Sequence, residues 1–218
     1  MHSFRDLETA AYCPRKLYYR RRDADEDRTI PESVRSRRAL AFDYERLLDS
    51  ASACDDAPIA VSRSTYRRRL HRLRDSMRHW EAIVDPPNRD VFLAGREARG
   101  VAHKVLDDPP MPSLVFTGEP PEMGVWKPQS VRLVAAAKAL AWEREETVEQ
   151  AIAEYPAHGV VRQIDLTTRR KAAYRKAVRV AESVDGPPPR LSDDAKCEPC
   201  EYRDSCGVRT RSLRSLLE

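Results

Sequence analysis

Apolar residues recur every three or four positions between Arg63 and Val84, at Leu70, Leu73, Met77, Trp80 and Val84. This spacing turns one side of a helix towards a core. The same period runs from Arg5 to Arg22 and from Pro31 to Ser50, where Pro31 stands near a helix start and needs no backbone donor. Short runs of strand formers bounded by turn residues follow at Val91–Ala94, Gly100–Leu106 and Leu114–Thr117. An alanine-rich stretch from Pro128 to about Ala153 predicts one long helix, then a strand over Gly159–Leu166 and a helix over Thr168–Ser183. Proline-rich joints at Asp85–Asn88, Asp107–Pro112, Glu119–Pro121 and Gly186–Pro189 separate these segments, because proline continues neither a helix nor a central strand. The order predicts a mixed α/β core over 88–185, behind a helical region at 1–85 and ahead of a tail at 190–210, in a single domain of 218 residues.

Composition refines the picture only slightly. A hydrophobic share of 41% beside 34% charged residues is that of a globular chain, and no apolar run nears the ~20 residues of a membrane span. The first residues, Met1-His2-Ser3-Phe4-Arg5-Asp6, lack a secretory leader's apolar stretch, so the cytoplasm is the expected compartment and reduced thiols the expected state of the five cysteines. The net charge of +4 decides little. Among the cations, 32 are arginine and seven lysine, a bias that suits phosphate but is also what a GC-rich genome produces.

Three cysteines crowd into ten positions, as Cys197-Glu-Pro-Cys200 and then Cys206. In a reducing compartment a metal explains such crowding better than disulfides do, and a Cys-x2-Cys loop can aim two thiolates at one centre. A fourth ligand is then needed, from Cys13 or Cys54. Cys13 lies in Tyr12-Cys13-Pro14-Arg15-Lys16-Leu17-Tyr18-Tyr19, beside a turn-forming proline, whereas Cys54 lies in a loose Ser-Ala-Cys-Asp-Asp connection. Cys13 is the better candidate, against the alternative that it is a small buried apolar residue. Zinc and an iron-sulfur cluster remain equally compatible with four thiolates.

The Cys-Pro-Arg-Lys-Leu-Tyr-Tyr start together with the C-terminal Cys-x2-Cys-x5-Cys resembles the CRISPR-associated RecB-type exonucleases, the Cas-four family of antiviral defence. The resemblance covers nearly the whole chain. It implies a [4Fe-4S] cluster on Cys13, Cys197, Cys200 and Cys206 and a restriction-endonuclease-like mixed sheet flanked by helices, of the PD-(D/E)XK superfamily. It also implies DNA as a partner and the CRISPR adaptation integrase as a possible second one. That family holds Mg²⁺ or Mn²⁺ with an Asp on one strand and a Glu-x-Lys on the next, hard oxygen ligands for a cation that activates water. Here the strand Gly100-Val101-Ala102-His103-Lys104-Val105-Leu106 carries His103 in place of the Asp. The strand Ser113-Leu114-Val115-Phe116-Thr117-Gly118 has no Glu-x-Lys, Phe116 and Thr117 standing there instead; Arg132 replaces the helical Gln, and Tyr44 falls near the early His. The catalytic motifs are thus degenerate, and Mg²⁺ or Mn²⁺ is expected only if Asp107, Glu119, Glu122 and His103 rebuild a site. His103 is otherwise a half-buried strand residue bonded to backbone.

The helix over Arg63–Val84 carries Arg67, Arg68, Arg69, Arg72, Arg74 and Arg78, and a second basic group, Arg15, Lys16, Arg20, Arg21 and Arg22, follows Cys13. Either a solvated face or a phosphate-binding surface produces such runs; with the resemblance, Arg67, Arg68, Arg69, Arg72, Arg15 and Arg20 are read as DNA contacts. Tyr18, Tyr19, Trp80, Trp126 and Trp142 are expected in the core, except that Trp126 leads into a helix instead of lying in its stripe. Three functions follow: a catalytically degraded, cluster-bearing DNA-binding subunit, an exonuclease with a rebuilt metal site, or a zinc- or cluster-stapled interaction subunit. A ligand about 180 residues from its partners favours a structural task for the metal, closing a long loop.

Overall fold

The computed structural model describes residues 1–23 and 29–206. Residues 207–210 of the expected tail lie outside the described residues. Strand β1 (His2–Ser3) leads into α1 (Phe4–Tyr12), which is capped by the Ser3 hydroxyl accepting from the Asp6 amide at 2.9 Å. The helix expected over Arg5–Arg22 is two helices. Cys13 precedes Pro14, and the residue before a proline is pushed out of the α region, here to φ −158°, ψ 116°. Pro14 then opens α2 (Pro14–Arg22). The Pro31–Ser50 helix also divides, into α3 (Glu32–Ala39), a 3₁₀ turn (Leu40–Phe42) and α4 (Tyr44–Asp49). Arg63–Val84 becomes α5 (Arg63–Ser76) and α6 (Trp80–Val84), with Met77 extended between them.

The sheet continues with β2 (Asn88–Ala94), β3 (Ala98–Asp107) and β4 (Pro110–Val115). The long helix expected to reach Ala153 ends early. Helix α7 (Lys127–Arg144) stops where Glu145 turns left-handed at φ 54°, and the chain returns as β5 (Gln150–Tyr155). Alanine at 151 and 153 reads as helix by propensity, but both are fully buried between β4 and β6 (Val160–Asp165), where a narrow strand fits. Helix α8 (Thr168–Ser183) matches the expectation, and α9 (Asp194–Cys197) is a single turn.

Among the described residues the six strands form one mixed sheet, in the order β1-β3-β4-β5-β6 with β2 on the other edge of β3. Pairing of β1 with β3 and of β4 with β5 is parallel, and the remaining pairs are antiparallel. One face is covered by α1, α7 and α8 around Phe4, Leu7, Leu133, Val134 and Tyr174. The other is covered by α4, α5 and α6 around Tyr44, Leu47, Tyr66, Leu70 and Trp80. Residues 1–85 therefore supply helices to both faces. Gly100 is required by this packing, since a Cβ there would lie 2.6 Å from the Phe4 ring.

Candidate functional site

The break at Cys13 sets up the first site. With α1 and α2 meeting at an extended residue, Cys13 faces the returning tail, and one pocket is lined by Cys13, Cys197, Cys200 and Cys206. Local turns arrange the last three: the Cys200 amide donates to the Cys197 carbonyl at 3.1 Å and the Cys206 amide to the Tyr202 carbonyl at 2.8 Å. Bonds independent of any metal hold the tail against α1 and α2. The Tyr12 hydroxyl donates to the Lys196 carbonyl at 2.9 Å across 184 residues, and the Tyr19 hydroxyl to the Ser205 carbonyl at 3.2 Å. Tyr19 also stacks on Tyr202 with ring centroids 5.4 Å apart. Arg15, Lys16, Arg190, Lys196 and Arg203 line the same pocket.

Four cysteines around one cavity are a donor set for four thiolate bonds, and five cations stand beside them to offset the negative charge that four thiolates bring. Among the described residues no three His, Cys, Asp or Glu side chains are grouped as the donors of a metal ion. All four cysteines line this one cavity. Cys54 is elsewhere: 3% exposed in the second core, it donates its thiol hydrogen to the Leu47 carbonyl at 3.5 Å. Burial pushes its thiol pKa up.

The second site lies where β3 and β4 part. Their ladder runs from Asp107–Pro110 to Lys104–Ser113. Beyond it the Val115 amide donates to Nδ1 of His103 at 3.0 Å, so the imidazole takes over from the backbone ladder. His103 is 5% exposed, more deeply buried than the half-buried residue expected from sequence. Burial first, and then the positive charges of Arg38, Arg132 and Lys104, push its pKa down to about 2. It is therefore a neutral ring with its proton on Nε2. Arg132 reaches Glu8 at 3.3 Å and lies over the Phe116 ring at 5.6 Å, and Arg38 pairs with Asp90.

His103, Phe116 and Arg132 thus do come together, but Tyr44 does not join them. Tyr44 is fully buried in the opposite layer, stacked on Trp80 at 6.0 Å. That layer holds the feature sequence reasoning missed, a side-chain group in which Lys104 and Glu154 are both 0% exposed and bond at 2.8 Å. Lys104 also donates to the Ala41 carbonyl at 2.6 Å and the Ile83 carbonyl at 2.8 Å, and the Ser113 hydroxyl donates to Glu154 at 2.5 Å. Burial lowers the lysine pKa while Glu154 pulls it back up. Only the strand assignment of Gln150–Tyr155 would have revealed it. Of the acids considered for a rebuilt metal site, Asp107 accepts from Arg144 at 2.6 Å and from Asn88 at 3.2 Å, while the charge of Glu119 acts on His158.

The arginines divide by depth. Arg15 donates to the Pro188 carbonyl at 3.0 Å and Arg20 to the Thr9 hydroxyl at 2.9 Å. Arg67 donates to the Leu48 carbonyl at 2.7 Å and Arg69 to the His158 carbonyl at 2.9 Å. These four help hold the fold. Arg68, Arg72, Arg74 and Arg78 are exposed. Of the aromatics, Tyr19 and Trp80 are buried, while Trp126 and Trp142 are exposed; the Trp126 indole donates to the Glu119 carbonyl at 2.9 Å.

The fold and site define an α/β protein in which the α1–α2 junction meets residues 190–206 at a cysteine-lined pocket. Comparison of the chain with protein-family models and with curated proteins returns no match. No helix among the described residues is long and apolar enough to cross a membrane.

Proposed function

We propose that the protein is a cluster-stapled DNA-binding subunit of the Cas-four type, acting beside the CRISPR adaptation integrase and holding DNA without cutting it. The observation that carries this reading is the pocket lined by Cys13, Cys197, Cys200 and Cys206, drawn from both ends of the described chain. A [4Fe-4S] cluster offers a separate iron to each thiolate and so asks its cysteines to ring a cavity. A single zinc would use the same four thiolates, and the metal content of the protein separates the two. Once bound, the cluster would supply a covalent link between the α1–α2 junction and the tail. The protein's own residues do the rest: Tyr12, Tyr19 and Arg15 seat the tail, and the cations around the pocket offset the thiolate charge.

Among the described residues the carboxylates closest to the strands already have partners, which leaves none for a catalytic cation. Near the parting strands Glu8 is paired with Arg132, and on the far side Glu154 is bound by Lys104 and Ser113. A divalent cation in a hydrolytic site needs carboxylates free to take it. For DNA, the exposed Arg68 and Arg72 on α5 give guanidinium groups to phosphates without breaking bonds to the fold.

The test begins with protein purified without oxygen, which should hold about four irons per chain. Cys13→Ala should lose most of that iron and release the tail to protease, while Cys54→Ala keeps it. Stoichiometric zinc, or equal iron in both variants, would overturn the cluster. On the same protein, Arg68→Ala with Arg72→Ala should weaken DNA binding and flatten its salt dependence by roughly one counterion per lost contact. Metal-dependent degradation of DNA that disappears in His103→Ala would make the chain an exonuclease instead.

A further inference from the structure

At the beginning of α5 the surface opens into a hollow of ≈ 730 Å³ lined by Ser62, Arg63, Ser64, Arg67, Arg68 and His71. Three guanidinium groups, an imidazole and two hydroxyls share this space, and no acidic side chain lines it. Their existing bonds leave donors over. Arg68 is exposed and makes a long 3.4 Å contact with the Thr65 hydroxyl. Arg67 gives one terminal nitrogen, Nη2, to the Leu48 carbonyl, which leaves Nη1 as its remaining terminal donor. Arg63 pairs with Asp55 but keeps about half of its side chain in solvent. Nδ1 of His71 lies 3.3 Å from Nη2 of Arg74; arginine can only donate, so Nδ1 accepts and Nε2 carries the ring proton. The Ser64 hydroxyl lies 3.3 Å from that of Ser62 and can turn towards a new acceptor, whereas the Ser62 hydroxyl caps α5 and donates to the Thr65 hydroxyl at 2.9 Å.

A hollow differs from the exposed arginine face further along α5. Phosphodiesters of a strand lying along a helix each carry one charge and need a row of exposed cations, which Arg72, Arg74 and Arg68, the last also lining the hollow, provide. Donors gathered around one space suit a single anion with more charge and more acceptor oxygens. A phosphate monoester has about −1.5 to −2 charge at neutral pH and three strong acceptor oxygens. We propose that this hollow seats the terminal phosphate of a DNA strand, so that the protein prefers phosphorylated DNA ends over internal backbone. The proposal rests on the DNA-binding reading and deepens it.

The experiment uses the full chain, purified without oxygen, and fluorescence anisotropy with short labelled oligonucleotides. These carry a 5′-phosphate, a 3′-phosphate or hydroxyls at both ends. One of the phosphorylated ends should bind on the order of tenfold more tightly than the hydroxyl control, ~1.4 kcal/mol. Arg63→Ala with His71→Ala should remove that advantage and leave the hydroxyl oligonucleotide's affinity unchanged, whereas Arg72→Ala should weaken all three oligonucleotides alike. Thermal melting of each variant separates a lost contact from a lost fold, and His71→Gln alone, which keeps a donor, should retain part of the preference. Equal affinity for all three ends would overturn the proposal and leave the DNA-binding reading standing. Binding of inorganic phosphate at the hollow, seen by calorimetry and lost in the double variant, with no binding of any oligonucleotide, would overturn both and make the hollow a free-phosphate site.

Discussion

His103 and Lys104 are neighbours on β3, yet they belong to different kinds of site. Lys104 lies in a closed layer where its ammonium meets two carbonyls and one carboxylate, and that carboxylate also holds Ser113. Charge is matched and each lysine proton has an acceptor. His103 lies where the ladder opens, and its ring is surrounded by the positive charges of Arg38 and Arg132. The nearby carboxylates, Glu8 and Asp90, are each paired with one of those arginines and lie partly in solvent. A buried, saturated pair stabilises one arrangement of the strands. A group whose ion pairs reach solvent tolerates exchange of partners. Burial together with donor saturation separates the two, while residue type alone does not.

The largest expected effect tests the closed side. Lys104→Ala leaves Glu154 buried without its counter-charge and should cost about 3–5 kcal/mol in denaturant unfolding. Replacing the pair together, Lys104→Met with Glu154→Leu, should recover much of that loss. A cost under ~1 kcal/mol for the single change would mean that water reaches Glu154, and the comparison would fail.

His103 yields an intermediate effect that appears only on acidification. Its pKa is pushed down to about 2 in the folded protein from the ordinary histidine value of 6.5, so the unfolded chain binds the proton more readily. Stability from the neutral ring is complete above pH 6.5 and declines as pH falls from there towards 2. The slope is about 1.4 kcal/mol per pH unit, or roughly 2 kcal/mol by pH 5. Burial depresses His2 and His158 as well, so the measurement is the difference from His103→Gln, which should show a shallower slope. Parallel curves would mean that the imidazole titrates freely and that the cleft is open to water.

The smallest effect belongs to Glu8. Its bond to Arg132 is long at 3.3 Å and about a quarter of its side chain meets solvent, so Glu8→Gln should cost under ~1 kcal/mol by thermal melting. A loss as large as that of Lys104→Ala would place both groups in one class.

The chain alone was enough to set Cys13 beside a turn-forming proline and to group it with Cys197, Cys200 and Cys206, although it showed one helix over Arg5–Arg22 where there are two. Proline acts on its immediate neighbour, and three of the thiols are a few residues apart. It was also enough for α5 and α8, whose apolar stripes repeat over several turns. Local pattern could not show that 150–155 is a strand, because alanine and isoleucine serve either state and the choice is made by the β4 and β6 backbones on each side. With that strand unseen, the Lys104–Glu154 bond across 50 residues was unseen too. Nor could the run of arginines be divided in advance. Arg67 and Arg69 reach the Leu48 and His158 carbonyls, while Arg68 between them faces solvent. Which side of a helix meets a carbonyl depends on segments distant in the chain, and only the tertiary structure brings them there.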